Sequence, residues 1–260
     1  MAVSRAIALY RRQPAPGFTL IEMAVALVVI ALLLASLLMP LQAQVEQRKI
    51  TETQKILDQA MEALLGFAAA NGRLPCPASL ASNGSEDCAG TLNGVNNVYT
   101  GYYPAAALGI SPVDTQGYLL DAWAQPQNRI RYSVTAASGS AFVTANGMRT
   151  TGIAGLSPSL NVCATAGVVA GACSPGPTLT STAPVVIFSL GKNAPTEVNA
   201  SGTPTGNAGA DEAENLSNNR FFVWHAQTAS SAPNGEFDDI MVWMSPNVLY
   251  SKMISAGQLP

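Results

Sequence analysis

Apolar and polar positions along this chain follow three successive patterns. From Phe18 to Met39 the chain is a 22-residue apolar run in which Glu22 is the one ionisable side chain. About 20 such residues span a hydrocarbon core of roughly 30 Å. The pattern then becomes two-faced at helical spacing. Ile50, Leu57, Met61, Leu64, Leu65 and Ala68 recur on one side, and Glu46, Arg48, Glu52, Lys55, Asp58 and Glu62 fill the other. Asn71-Gly72 reads as a C-terminal cap, and Pro75 blocks easy continuation. Beyond it come short runs rich in β-branched and aromatic residues and bounded by turn formers: "RIRYSVT" (129–135), "APVVIFSL" (183–190), "RFFVWHA" (220–226) and "FDDIMVWM" (237–244).

These patterns predict an α+β chain. A long N-terminal helix has an apolar half over 18–41 and an amphipathic half over 42–71, and its apolar stripe packs on an antiparallel sheet built from the four runs. Residues 136–182, poor in charge and rich in Ala, Gly, Ser and Thr, read as a loop or hairpin insertion. A short C-terminal helix is expected from Pro246 to about Ala256, with Ser245 as N-cap and Gly257 as its stop.

Glu22 is the anomaly. A carboxylate at membrane depth costs on the order of 2.5 kcal/mol or more. A secretory signal would use Arg5, Arg11 and Arg12 as its basic flank and Leu41-Gln42-Ala43 as a cleavage site, but an ordinary signal core is about 7–15 residues, and Glu22 would have no role. A plain membrane anchor fits the length and leaves both Glu22 and the junction Pro14-Ala15-Pro16-Gly17 unexplained.

A third reading rests on "GFTLIEMAVALVVIALLL", which resembles the leader junction of type IV pilins and of the pseudopilins of type II secretion. The resemblance implies a leader at residues 1–17, cut after Gly17 by a prepilin peptidase, and N-methylation of Phe18. It implies a pilin-like fold: a filament-core helix over 18–41, the amphipathic helix over 42–71 and a periplasmic β-rich domain over 72–260. Pro40 falls near where many pilin helices kink. The new amine at Phe18 and the acid of Glu22 each need a counter-charge in lipid. In a helical filament, Glu22 of one subunit would pair with Phe18 of its neighbour and set the axial register. The implied partners are the peptidase, other pilin or pseudopilin subunits in a homo- or hetero-filament, and an inner-membrane assembly platform. The implied course is single-pass insertion in the inner membrane, then a periplasmic or surface filament. Two destinations stay open, the type II secretion pseudopilus and a type IV pilus for adhesion or DNA uptake. A membrane-anchored periplasmic enzyme or binding protein is the alternative of another class.

Charge narrows this. The chain has 13 Lys plus Arg against 16 Asp plus Glu, and loss of the three leader arginines leaves a formal balance of −6. That argues against phosphate-backbone binding, which needs clustered bases. No nucleic-acid partner is expected. Cys76, Cys88, Cys163 and Cys173 sit in Gly-, Ser- and Asn-rich stretches, and an even count in an oxidising periplasm reads as disulfides. Three pairings are open, and the sequence-local one, Cys76 with Cys88 and Cys163 with Cys173, is the expectation. Zinc finds no Cys-x-x-Cys spacing and a single histidine, His225.

Three inner segments extend the resemblance toward the major-pseudopilin type. "DAWAQPQNRIRY" (121–132) resembles its Asp-x-Trp-Gly-x-Pro segment, with Ala124 where glycine is usual. "SLGKN" (189–193) resembles the opening of its calcium loop, and "EFDDIMVW" (236–243) its close. Between the last two lies "DEAENLSNN" (211–219). Calcium takes six to eight oxygens, and Asp211, Glu212, Asp238 and Asp239 are the candidate ligands. The opener and closer are far apart for the compact family loop. A second reading therefore stands beside the first: solvated loop acids, with Asp238 or Asp239 capping a turn. No other cofactor is expected. His225 lies in a strand-like run, Ser157 lacks a nucleophile-elbow frame, and no phosphate or dinucleotide loop occurs, so the chain is read as non-enzymatic. Trp123, Trp224 and Trp243 are expected in the core.

Overall fold

The structure, a computed structural model, describes residues 17–260 except residue 170, and over residues 35–41 the backbone alone. The chain divides into two units, residues 1–47 and 48–260. Helix α1 (Leu20–Asn71) carries residues of both.

In the first unit, helical backbone begins directly after Thr19. Leu20, Leu27 and Leu33 are among many large apolar side chains left bare, at 91%, 63% and 60% exposure. The transmembrane assignment over 18–41 runs into residues 35–41, whose side chains lie outside the described residues. Among the described residues, no helix is long and apolar enough to cross a membrane. The leader assignment likewise lies outside them, apart from Gly17.

In the second unit, α1 buries Thr53, Ile56, Leu57, Ala60, Leu64, Leu65 and Ala68. Ile50 and Met61 are only half-buried at its edge. The helix stops where expected: Gly72, at φ +68°, donates its N–H to the Ala68 carbonyl at 2.9 Å. Next come α2 (Cys88–Thr91), β1 (Leu92–Asn93), β2 (Val98–Tyr102), α3 (Ala105–Leu108), β3 (Arg131–Thr135), α4 (Ala137–Ser140) and α5 (Gly147–Thr151). They are followed by β4 (Leu160–Cys163), β5 (Val168–Val169), β6 (Ala172–Cys173), β7 (Thr178–Ala183), β8 (Val185–Ser189), α6 (Ala194–Glu197), α7 (Ala210–Asn215), β9 (Phe221–Val223), β10 (Ile240–Trp243) and α8 (Pro246–Ser255).

The main sheet is antiparallel, in the order β1-β2-β3-β8-β10. One face, with Tyr132, Val134, Val185, Ile187 and Ile240, packs on the buried stripe of α1. The other face, with Val186, Phe188 and Met241, is covered by Leu160, Val162 and Phe222. Burial on both faces is why β8 is a continuous apolar run with all five residues buried.

One expectation is corrected here. The "RFFVWHA" run does not join the main sheet: β9 pairs in parallel with β4 in a second sheet of order β7-β4-β9. The main sheet has no opening for it between β8 and β10, which pair directly from Ile240 with Ser189 to Trp243 with Val186. Phe222 packs against Phe188, 5.9 Å between ring centroids, and makes the strand a cover instead. The stretch 136–182 is a hairpin-type insertion, as expected: β4 pairs antiparallel with β7, which ends at Ala183, and β5 pairs antiparallel with β6 between them. Of the three tryptophans, Trp224 is 40% exposed and meets Trp243 edge-on at 5.7 Å. Disulfides join Cys76 to Cys88 and Cys163 to Cys173.

Candidate functional site

Two groups of residues carry candidate chemistry, one at the start of α1 and one where the three inner segments meet. At the first, Gly17 has open space around it and Phe18 is 83% exposed. Thr19 is the residue before the helix and Glu22 the third residue within it. The Thr19 N–H and Oγ1 both donate to Glu22 Oε2, at 2.8 and 2.7 Å, and the Glu22 N–H donates back to Thr19 Oγ1 at 3.2 Å. This is a capping box, in which two otherwise orphaned amide donors are satisfied reciprocally.

At the second group, Asp121 is buried at the head of its segment and accepts from Ser189 Oγ at 2.5 Å and from Asn128 Nδ2 at 2.9 Å. Asn128 Nδ2 also donates to the Gly191 carbonyl. Burial pushes Asp121 up to about 6, against the pull of those bonds and of the Trp123 and Ala124 amides. Ser189 Oγ in turn accepts from the Gly191 N–H at 3.0 Å. Gly191 turns the chain at φ +67°, so that the Lys192 and Asn193 N–H groups both donate to Asp238 Oδ2, at 2.9 and 3.1 Å. The segments opening at Asp121, Ser189 and Glu236 are thus one connected network.

Asp238 stands beside Asp239 and Glu212, and all three are buried with carboxylate oxygens within 4.8 Å of one another. Glu212 accepts from both the Asp238 N–H, at 2.9 Å, and Asn193 Nδ2, at 3.2 Å. Asp239 accepts from Asn215 Nδ2 at 2.6 Å. Burial, followed by the charge of Glu212, pushes Asp238 up to about 7, and burial also raises Asp239 well above its ordinary value. Oxygens of the two aspartates remain without a hydrogen-bond partner. A set of carboxylates with unfilled lone pairs is the donor chemistry of a hard cation.

The four acids named from the sequence do not all converge. Asp211 precedes Glu212 on α7, but successive helical residues point about 100° apart. Its carboxylate accepts from the Ala166 N–H, Thr165 Oγ1 and Asn234 Nδ2, and meets His225 Nε2 at 3.1 Å. Burial would raise Asp211, yet those bonds hold it below the ordinary range. His225 stacks on Phe237 at 4.0 Å and belongs to that separate cluster. Sequence reasoning missed Glu197, a buried acid on α6 beside Glu212, and the Asn193 amide that links Glu212 to the turn at Gly191. "NAPTEVN" offers no signal for such an acid.

Residues 14–38 match the model of the prokaryotic N-terminal methylation motif, the prepilin-type signal of type IV pilins and pseudopilins. No curated protein and no solved structure matches the chain. The motif implies processing by prepilin peptidase, an N-terminal membrane anchor and assembly with other pilin-type subunits.

Proposed function

We propose that the protein is a non-enzymatic structural subunit of a helical filament, cut after Gly17, methylated at Phe18 and held in register by pairing of Glu22 with the Phe18 amine of a neighbour. The observation that carries this reading is the methylation motif over 14–38 set on a helix whose apolar side chains are bare. Such a surface has to be covered by lipid before assembly and by other helices after it. Between the two destinations, the connected segments at Asp121, Ser189 and Glu236 favour the type II secretion pseudopilus over a type IV pilus. Intact-mass and N-terminal peptide analysis of the membrane-derived protein tests the processing step. A mature chain beginning with methylated Phe18 is expected; one beginning at Met1 or at Gln44 would overturn it.

A second reading concerns the acids. Calcium is the ion that Glu212, Asp238 and Asp239 suit best, because a protein-lined cage of oxygens favours it over magnesium, which keeps several of its waters. The observation favouring this is the set of unpartnered carboxylate oxygens in a buried site. Calorimetric titration of the full chain with calcium tests it.

A further inference from the structure

Arg131 opens β3 on the face of the main sheet that looks away from α1. Ser133 shares that face by strand alternation, and across the ladder Tyr102 and Phe188 stand opposite Arg131, with Thr100 opposite Ser133. Two contacts fix the guanidinium: its Cζ lies 4.6 Å from the Tyr102 ring centroid, and its Nη2 donates to the Gly202 carbonyl at 2.9 Å. Its Nε is cut off from solvent and has no hydrogen-bond partner. No carboxylate among the described residues forms an ion pair with it, and Glu197 and Asp239 act on it only at longer range. Burial lowers Arg131 from the ordinary arginine value, yet a guanidinium stays protonated in proteins. A charge held out of water without a counter-charge is costly and calls for an explanation.

Arg131 lines a cavity of about 50 Å³ between the main sheet and its cover, together with Thr100, Ser133, Phe188, Asn218 and Phe222. A water needs roughly 10–15 Å³ on that scale. The space therefore takes one small ion with water beside it and has no room for an organic ligand. Its polar lining consists of hydroxyls, amides and the guanidinium, and it contains no acid. We propose that this cavity binds one small monovalent anion of chloride size, with Arg131 Nε as the charged donor and the Ser133 hydroxyl as a neutral one. The anion supplies the counter-charge that Arg131 lacks, and bonds to a charged donor are the stronger kind. It also ties β3 and the turn at Gly202 to the residues that cover the sheet. The site is independent of the filament and calcium readings above.

The test is chloride NMR line broadening, with thermal melts beside it, on the full chain in detergent and with a chelator present so that calcium takes no part. Wild type is compared with Arg131→Met and with Arg149→Gln, which removes an exposed guanidinium on α5. The salts are sodium chloride and, at equal ionic strength, sodium gluconate, whose anion is too large for the cavity. Wild type and Arg149→Gln should show saturable broadening that bromide competes away, and a higher Tm in chloride than in gluconate. Arg131→Met should show neither. If Arg131→Met does not fold, Ser133→Val, which removes a donor and fills part of the cavity, takes its place and should bind chloride at least about tenfold more weakly. A wild type without saturable broadening would overturn the inference and leave the cavity to water alone. Chloride binding unchanged in a folded Arg131→Met or Ser133→Val would overturn it too, by placing the ion elsewhere on the protein.

Discussion

Thr19 and Glu22 cap each other: one carboxylate oxygen of Glu22 takes both the Thr19 N–H and its hydroxyl, and Thr19 takes the Glu22 N–H in return. Glu22 therefore has a local task, starting α1, in addition to the intersubunit pairing proposed for it. The two tasks separate by substitution. Glutamine serves in a capping box as glutamate does, but it carries no charge. Glu22→Gln should keep the helix start and still fail in filament incorporation, because a neighbour's amine left unpaired in lipid costs about 3–5 kcal/mol. Glu22→Ala should fail as well. Thr19→Ala should lose about 1 kcal/mol of capping and still assemble. Filament incorporation is the measurement, with leader processing as the control. Normal filaments from Glu22→Gln would leave Glu22 as a cap alone.

The turn after α1 carries a pH-dependent contact. Arg73 holds Glu86 through two short bonds, 2.7 and 2.6 Å, and Glu86 also accepts the Cys76 N–H. The Arg73 bond is the largest influence on Glu86 and holds it below the ordinary carboxylate range. An acid lowered by folding stabilises the fold above its unfolded-state value, and that contribution disappears as pH falls through the folded value. Glu86 is partly exposed, so solvent screening limits the effect to about 1 kcal/mol or less. Thermal melts should show Glu86→Gln less stable than wild type near neutrality, with the two curves converging below about pH 4.

The disulfides close loops with sequence separations of 12 and 10. In the chain-entropy model, loops of that size are worth roughly 3 kcal/mol each. Replacing Cys163 and Cys173 together by Ser should lower the urea midpoint accordingly, and reductant should then cause a smaller further drop than it does in wild type. Non-reducing peptide maps of the native protein should show both bridges; free thiols would contradict them.

Much of this architecture could be read from side-chain pattern alone, because the pattern reports burial. The amphipathic half of α1 carries a helical period, β8 an unbroken apolar run that marks burial on both faces, and the C-terminal helix its own start at Ser245-Pro246 and stop at Gly257. Partner choice is not written that way. Phe221, Phe222 and Val223 are all buried, and three apolar residues in a row do not say which sheet they join or in which direction. β2, "VYTGY", hides behind Gly101, whose missing side chain lets the Ala78 carbonyl approach. At the candidate site, Asp238-Asp239 and the Ser189–Asn193 turn were recognisable, whereas Asp211 and Glu212 are neighbours that only helical geometry separates. Glu197 depends wholly on where a loop of the chain returns.

Gly191 offers the sharpest test of how that turn serves the acids. It sits at φ +67°, and a Cβ there would collide with both the side chain and the backbone carbonyl of Asp238. Gly206 sits at φ +84° with nothing within 4 Å of an added Cβ. Alanine at either position bears the left-handed penalty of about 1–2 kcal/mol. Only at Gly191 must the neighbour also move, and that neighbour includes backbone that leads directly into β10. Gly206→Ala should lower stability by the conformational term and leave calcium affinity unchanged. Gly191→Ala should lower stability further and weaken calcium binding, because Asp238 loses the Lys192 and Asn193 donors that fix its carboxylate. Paired denaturant melts and calcium titrations of the two variants check this. Equal losses of stability, with equal affinities for the ion, would mean that the turn at Gly191 is a connection and plays no part in holding the acids.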